Sequence, residues 1–297
     1  MVQFPTSHLS TPTALRLLWV FSLPSVPIRL SRNILREVAA YLVPSPTLVV
    51  LTSTHIQQFC ILQRRWRGGV GLSRRLLGVW GMRYVQVGER WVVGCGGGGR
   101  LGKGQEVYSV RTVCVEVESG LVQDWADMRI GRGLHGLIEH SGAIYAFGGF
   151  PVAANSGLSA EFTLFAADQH WSDLPNMAFP RYMFTPCIWL SCIYLCGGPS
   201  GFMEIFLPKQ LKYQLSPIYL SNSSAMLVFT HNKELVIITR SEMLLFNEKL
   251  EERRVKRGFG EVETSTLPVV WRGFVFAVRG QTCGVYDLGT GKRGNCV

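Results

Sequence analysis

The chain has 297 residues, 47% of them hydrophobic and 17% charged, which excludes a disordered polymer and leaves enough apolar material for one large core or two small ones. The formal net charge is +10. Its arginines are scattered, apart from Arg64, Arg65, Arg67, Arg74 and Arg75 and the run from Arg253 to Arg257, and no aromatic stacking platform is interleaved with them, so the excess reads as a basic solvated surface or a match for an acidic partner rather than as a nucleic-acid interface.

In chain order, the first feature is Ala14 to Leu23, "ALRLLWVFSL". This apolar run is too short to span a bilayer. Arg16 lies inside it, and neither a preceding positive charge nor a small-residue cleavage site accompanies it, which argues against a cleaved signal. "SRNILREVAAYL" follows, with Ile34, Leu35, Val38 and Leu42 at helical spacing, Ser31 at the cap position, and Pro44 and Pro46 beyond. That pattern predicts one short amphipathic helix. Residues 1–46 are therefore expected to form a partly disordered N-terminal segment with one helix, and residues 47–297 the main domain.

From Thr47 onward the pattern is short apolar runs separated by turns, and aromatics at 11% with 32 glycines favour an all-β domain. The runs begin at Leu48, Arg90, Ala143, Cys192, Glu234 and Gly273, in steps of about 40–50 residues, the length of one blade in a repeat fold. A second run follows each and carries Phe59, Glu118, Phe165, Phe206, Phe246 or Tyr286, and four of these are followed by another ring, Trp66, Trp125, Trp171 or Tyr213. A less regular strand precedes each unit, as in "HGLIEH" and "FTPCIWL".

Two units repeat closely. "GAIYAFGG" and "CIYLCGG" end on Gly148–Gly149 and Gly197–Gly198, and Met128 and Arg132 upstream of the first pair answer to Met177 and Arg181 upstream of the second. Each arginine precedes its glycine pair by the same interval.

These features resemble the kelch repeat, most closely over Asp127–Trp171 and Asn176–Tyr213. The unit from Gly94 to Trp125 fits with an insertion, "GGRLGKGQEVYSVRT". The outer units keep the aromatic rhythm but carry Thr52–Ser53, Thr239–Arg240 and Val278–Arg279 in place of the glycines. The resemblance implies a β-propeller of about six four-stranded blades. The glycines would then relieve crowding near the hub and permit a positive φ, the rings would fill the space between blades, and the ring of blades would close with a strand from near Thr47.

Candidate chemistry is sparse. Gly94 to Gly104 superficially offers a phosphate cradle, but Gln105 stands where a P-loop needs lysine. His135, Glu139 and His140 miss the spacing of an inverted zincin by one residue and lie in a strand-like run. Ser156 lacks the glycines of a nucleophile elbow. Cys114 and Cys283 have no histidine beside them in sequence, and Asp124 and Asp127 flank a tryptophan in a solvent-facing pattern. Of eight cysteines, Cys60, Cys187, Cys192 and Cys196 sit in apolar runs. No C-x-x-C occurs, so the thiols read as small hydrophobes in a reducing compartment, without metal.

The expectation is a cytoplasmic, monomeric, non-catalytic protein-binding module, a scaffold or adaptor, with no cofactor and no membrane or nucleic-acid partner. Loops 97–106 and 150–160 are expected on one face, and Arg100, Lys103, Phe150 and Phe202 are the expected exposed contact residues. Two alternatives follow from resemblance. "LSRNILREVAAYL" is similar to the start of an F-box, which would make the chain a ubiquitin-ligase substrate adaptor, although the opening Leu-Pro is missing and the segment is short. Galactose-oxidase-like propellers are copper enzymes, but no Tyr/His/Cys set stands out here.

Overall fold

The computed structural model describes residues 16–20, 47–51, 54–60, 65–74, 76, 81–88, 90–101, 105–150, 159–163, 170–220, 227–239, 242–256, 269–271, 274–279, 282–288 and 293–296. The expected helix and the F-box-like stretch at residues 31–46 lie outside them.

The chain is all-β. The described strands form six four-stranded sheets and one hairpin. The first sheet holds β1 (Arg16–Val20), β2 (Thr47–Leu51), β3 (His55–Cys60) and β4 (Arg65–Gly71). The second holds β5 (Arg83–Val87) and β6 (Trp91–Cys95), then, after the hairpin β7 (Gly98–Leu101) and β8 (Gln105–Tyr108), β9 (Thr112–Glu116) and β10 (Val122–Trp125). The hairpin is the insertion seen in the sequence. The third comprises β11 (Gly136–His140), β12 (Ala143–Phe147), β13 (Ser159–Thr163) and β14 (Trp171–Leu174), and the fourth β15 (Thr185–Trp189), β16 (Cys192–Cys196), β17 (Phe202–Leu207) and β18 (Lys212–Tyr219). The fifth runs β19 (Leu227–His231), β20 (Glu234–Ile238), β21 (Glu242–Phe246) and β22 (Glu252–Lys256), and the sixth β23 (Val269–Trp271), β24 (Phe274–Arg279), β25 (Thr282–Asp287) and β26 (Arg293–Cys296). Among the described residues, no helix is long and apolar enough to cross a membrane.

Within each sheet the strands follow chain order and pair antiparallel, with one exception: β1 pairs parallel with β2. The two strands are separated in sequence by residues 21–46, room for the crossover that a parallel pair needs. The first sheet thus draws its first strand from the segment that the sequence sets apart. The strand near Thr47, expected to close the ring, stands second in its sheet, and it is β1 that lies against β23.

The recurring apolar runs are the second strands. They are buried along nearly their whole length, as in β12, β16 and β20, because the sheets stack face to face. Each apolar cluster spans two sheets consecutive in sequence. Ile56 of the first sheet shares a cluster with Val92 of the second, Val93 with Ile144, Tyr145 with Phe206, Trp189 with Leu235, and Val236 with Val275 of the sixth. The first strands also meet in succession, β5 with β11, β11 with β15 and β15 with β19. The fourth strands are more exposed: β14 is buried only at its two ends, and β18 is exposed over most of its length.

Register assigns the ring positions. The third-strand residues opposite Leu48, Ile144, Ile193, Leu235 and Val275 are Phe59, Phe162, Phe206, Phe246 and Tyr286. In the second sheet, opposite Val92, the residue is Val115. The sequence places Glu118 and Phe165 there. Both assignments are three residues too late, because the connection from second to third strand varies in length and the even step kept by Phe206, Phe246 and Tyr286 does not extend back to the second and third sheets.

Candidate functional site

The double glycines follow the second strands, and all six have positive φ, from +62° at Gly148 to +104° at Gly149. The crowding around them comes from the next sheet. A Cβ on Gly148 would run into the carbonyl oxygen of Arg181, and one on Gly96 into that of Arg132. These carbonyls instead accept hydrogen bonds from the second glycines, Gly149 N–H to Arg181 O and Gly97 N–H to Arg132 O, both 2.8 Å. Each arginine then reaches the turn of its own sheet. Arg181 Nη1 donates to Gly197 O at 2.9 Å and Arg132 Nη1 to Gly148 O at 3.4 Å. The repeated Arg…Gly-Gly spacing is therefore a stitch between successive sheets.

The two arginines differ in what surrounds them. Arg181 is fully buried and paired with the equally buried Glu204. The carboxylate accepts from Arg181 Nε at 3.2 Å and Nη2 at 3.1 Å, and from the backbone N–H groups of Ala178 at 2.7 Å and Phe179 at 3.4 Å. Arg181 Nη2 also donates to Phe202 O. Burial pulls the Arg181 pKa down, and Glu204 opposes that shift. In the third sheet Ala160 occupies the register place of Glu204.

Above these arginines, aromatic rings line the turns. Tyr108, at the end of β8, stacks on Phe150 with centroids 6.5 Å apart, and Phe150 meets Tyr182 at 4.2 Å. Tyr182 and Phe179 belong to the loop leading into β15. Phe179 stacks on Phe202 at 5.0 Å, and Phe202 meets Tyr219 at 4.8 Å. These are two stacks, one from Tyr108 to Tyr182 and one from Phe179 to Tyr219, linked through the loop that carries both Phe179 and Tyr182; together they make a row across the turns of the second, third and fourth sheets. It is half-buried at Tyr108, Phe150, Phe179 and Tyr182 and open at its far end, where Phe202 is 44% and Tyr219 58% exposed.

Of the expected contact residues, Phe150 and Phe202 are both in this row. Arg100 lies on β7 opposite Glu106, and Lys103 lies outside the described residues. The hairpin β7–β8 and the turn at Phe150 are adjacent, through the Tyr108–Phe150 stack and the paired backbone hydrogen bonds of Gly133 and Phe150. The sequence missed Tyr108, Phe179, Tyr182 and Tyr219, whose stacking partners lie in other elements.

The structure also assembles a buried polar group. Cys95 Sγ lies 3.3 Å from His135 Nε2, both fully buried. Burial first, then the charges of Arg132 and Arg83, holds His135 well below its ordinary value, and burial pushes the Cys95 thiol up to about 12. The pair therefore stands as neutral thiol and neutral imidazole, not as the thiolate–imidazolium of a nucleophilic site. Burial likewise pushes Cys114 up to about 12. Asp124 is held down near 2, chiefly by its hydrogen bond from Arg74 and also by Arg111, while Asp127 accepts the Thr112 N–H. Among the described residues no three His, Cys, Asp or Glu side chains form a metal-binding group.

The sequence matches no known protein-family model and no curated protein.

Proposed function

We propose that this chain is a kelch-type β-propeller of six four-stranded blades and acts as a non-catalytic protein-binding scaffold, engaging a protein partner through the face that carries the double-glycine turns. The stacking of consecutive sheets and the succession of first-strand contacts support the propeller reading. One observation carries the binding reading: the row of rings that ends in exposed Phe202 and Tyr219. Exposed aromatics on a rigid frame supply large contact area at low entropic cost, the property that concentrates binding energy at interface centres.

The test is affinity capture with three forms of the full chain: wild type, Phe202→Ala/Tyr219→Ala, and the control Leu190→Asn. Leu190 is 48% exposed, and its turn lies at the other end of β16 from the glycines, with a φ of +50° that asparagine tolerates. The aromatic double variant should lose partners that the wild type and the control retain, with melting curves showing all three folded. An unchanged partner set for the double variant would overturn the proposal.

A further inference from the structure

The last hairpin sets two cysteines at directly opposite register positions. β25 and β26 pair antiparallel, with Cys283 directly opposite Cys296. Other cysteines on described strands meet different residues across the ladder, such as Cys114 opposite Val93 and Gln123, and Cys196 opposite Thr185. Directly opposite residues of an antiparallel pair share one face of the sheet, with Cα atoms about 4.5–5.5 Å apart. A disulfide requires about 4.4–6.8 Å, so this register brings the two positions within bonding range without backbone movement. Among the described strands, β26 is outermost in its sheet and pairs with β25.

We propose that Cys283 and Cys296 form a redox-responsive cross-strand disulfide that clasps the edge strand of the sixth sheet, closed by exchange with a low-molecular-weight disulfide. The thiolate of one cysteine attacks a sulfur of the small disulfide, the S–S bond breaks, and one small thiolate leaves with its electron pair. The second cysteine's thiolate then displaces the remaining small thiol and closes the Cys283–Cys296 bond. The two cysteines are oxidised, the small disulfide is reduced to two thiols, and the two protons lost by the protein end on those thiols. A reducing pool runs the same exchange backwards. Selectivity has a physical basis elsewhere in the chain: Cys95, Cys114 and Cys196 are buried with thiols pushed up to about 12, so little attacking thiolate forms there.

The experiment equilibrates the full chain with oxidised and reduced glutathione at set ratios, quenches in acid, alkylates, digests without reduction and maps peptides by mass. Under oxidising ratios a peptide joining Cys283 to Cys296 should appear, lighter by two hydrogen masses than its separate halves and lost on reduction. Amide exchange over Arg293–Cys296 should slow in the same samples. Cys283→Ala should abolish the link and leave Cys296 as a glutathione adduct, Cys296→Ala should do the reverse, and Cys192→Ala should leave the link intact. Recovery of Cys283 and Cys296 as separate alkylated peptides under oxidising ratios, or linked to other cysteines, would overturn the proposal.

Discussion

Replacing Glu204 by alanine tests the stitch between the third and fourth sheets. The substitution removes one carboxylate that accepts four hydrogen bonds, two from Arg181 and two from the backbone at Ala178 and Phe179. Ala178 is exposed and Phe179 half-buried, so water can replace the carboxylate at those N–H groups. Arg181 is fully buried, and its guanidinium would be left without its counter-charge. Breaking a buried ion pair from one side costs about 3–5 kcal/mol. At an m-value of ~2–3 kcal/mol/M, the urea midpoint should fall by roughly 1–2.5 M. Arg181→Met/Glu204→Leu removes both charges and keeps the volume, and should recover at least ~2 kcal/mol of the loss, because well-packed apolar replacements of buried pairs are near neutral. Equilibrium urea unfolding followed by tryptophan fluorescence reads both variants. A Glu204→Ala chain within ~0.5 kcal/mol of wild type, the scatter of an ordinary surface change, would refute the reasoning. So would a double variant no more stable than the single.

Further outcomes follow from the same geometry. Gly88→Ala, at φ +58° with nothing near the new Cβ, should cost about 1–2 kcal/mol of left-handed strain, whereas Gly148→Ala, at φ +62° and against the Arg181 carbonyl, should cost about 3 kcal/mol or more; thermal unfolding ranks the two. Phe206 is fully buried among Tyr145, Phe147 and Tyr213, so Phe206→Ala should lose about 3–5 kcal/mol in urea unfolding, and Val115→Ala at the matching place in the second sheet should lose less. His135 is neutral when folded, while the unfolded chain takes up its proton as pH falls through about 6.5. Stability attributable to His135 is thus complete above that pH and declines below it by up to ~1.4 kcal/mol per unit. His140 and His231, both also lowered chiefly by burial, add slope of the same sign, so His135→Leu should flatten the acid side of the stability profile without abolishing its slope.

The repeat was legible because its chemistry depends on fixed spacing. Arg132 and Arg181 each reach the first glycine of their own turn, and an arginine can do so only if the intervening strands keep their lengths. Register of the third strands was less legible. The connection from Gly149 to Ser159 is longer than that from Gly198 to Phe202, so the even step between the later rings, carried back from Phe206, overshoots Phe162 and lands on Phe165. Glu204 gave no periodic signal, since alanine holds its place in the third sheet. At the candidate site, Phe150 and Phe202 were legible as aromatic residues beside glycine turns. Their neighbours were not, because Tyr108 and Tyr219 reach the row from a hairpin insertion and a fourth strand. The Cys95–His135 contact joins residues forty apart, a distance over which no local pattern links a thiol to an imidazole.

The parallel pairing of β1 with β2 bears on where this polypeptide can be cut. A fragment starting at Thr47 would look self-sufficient by its repeats, yet it would strip Thr47–Leu51 of the partner that covers one of its ladders. A bare row of N–H and C=O groups recruits strands from other molecules. Such a fragment is expected to elute as higher-order species in size-exclusion chromatography, and a monomeric profile would mean that the upstream strand is dispensable.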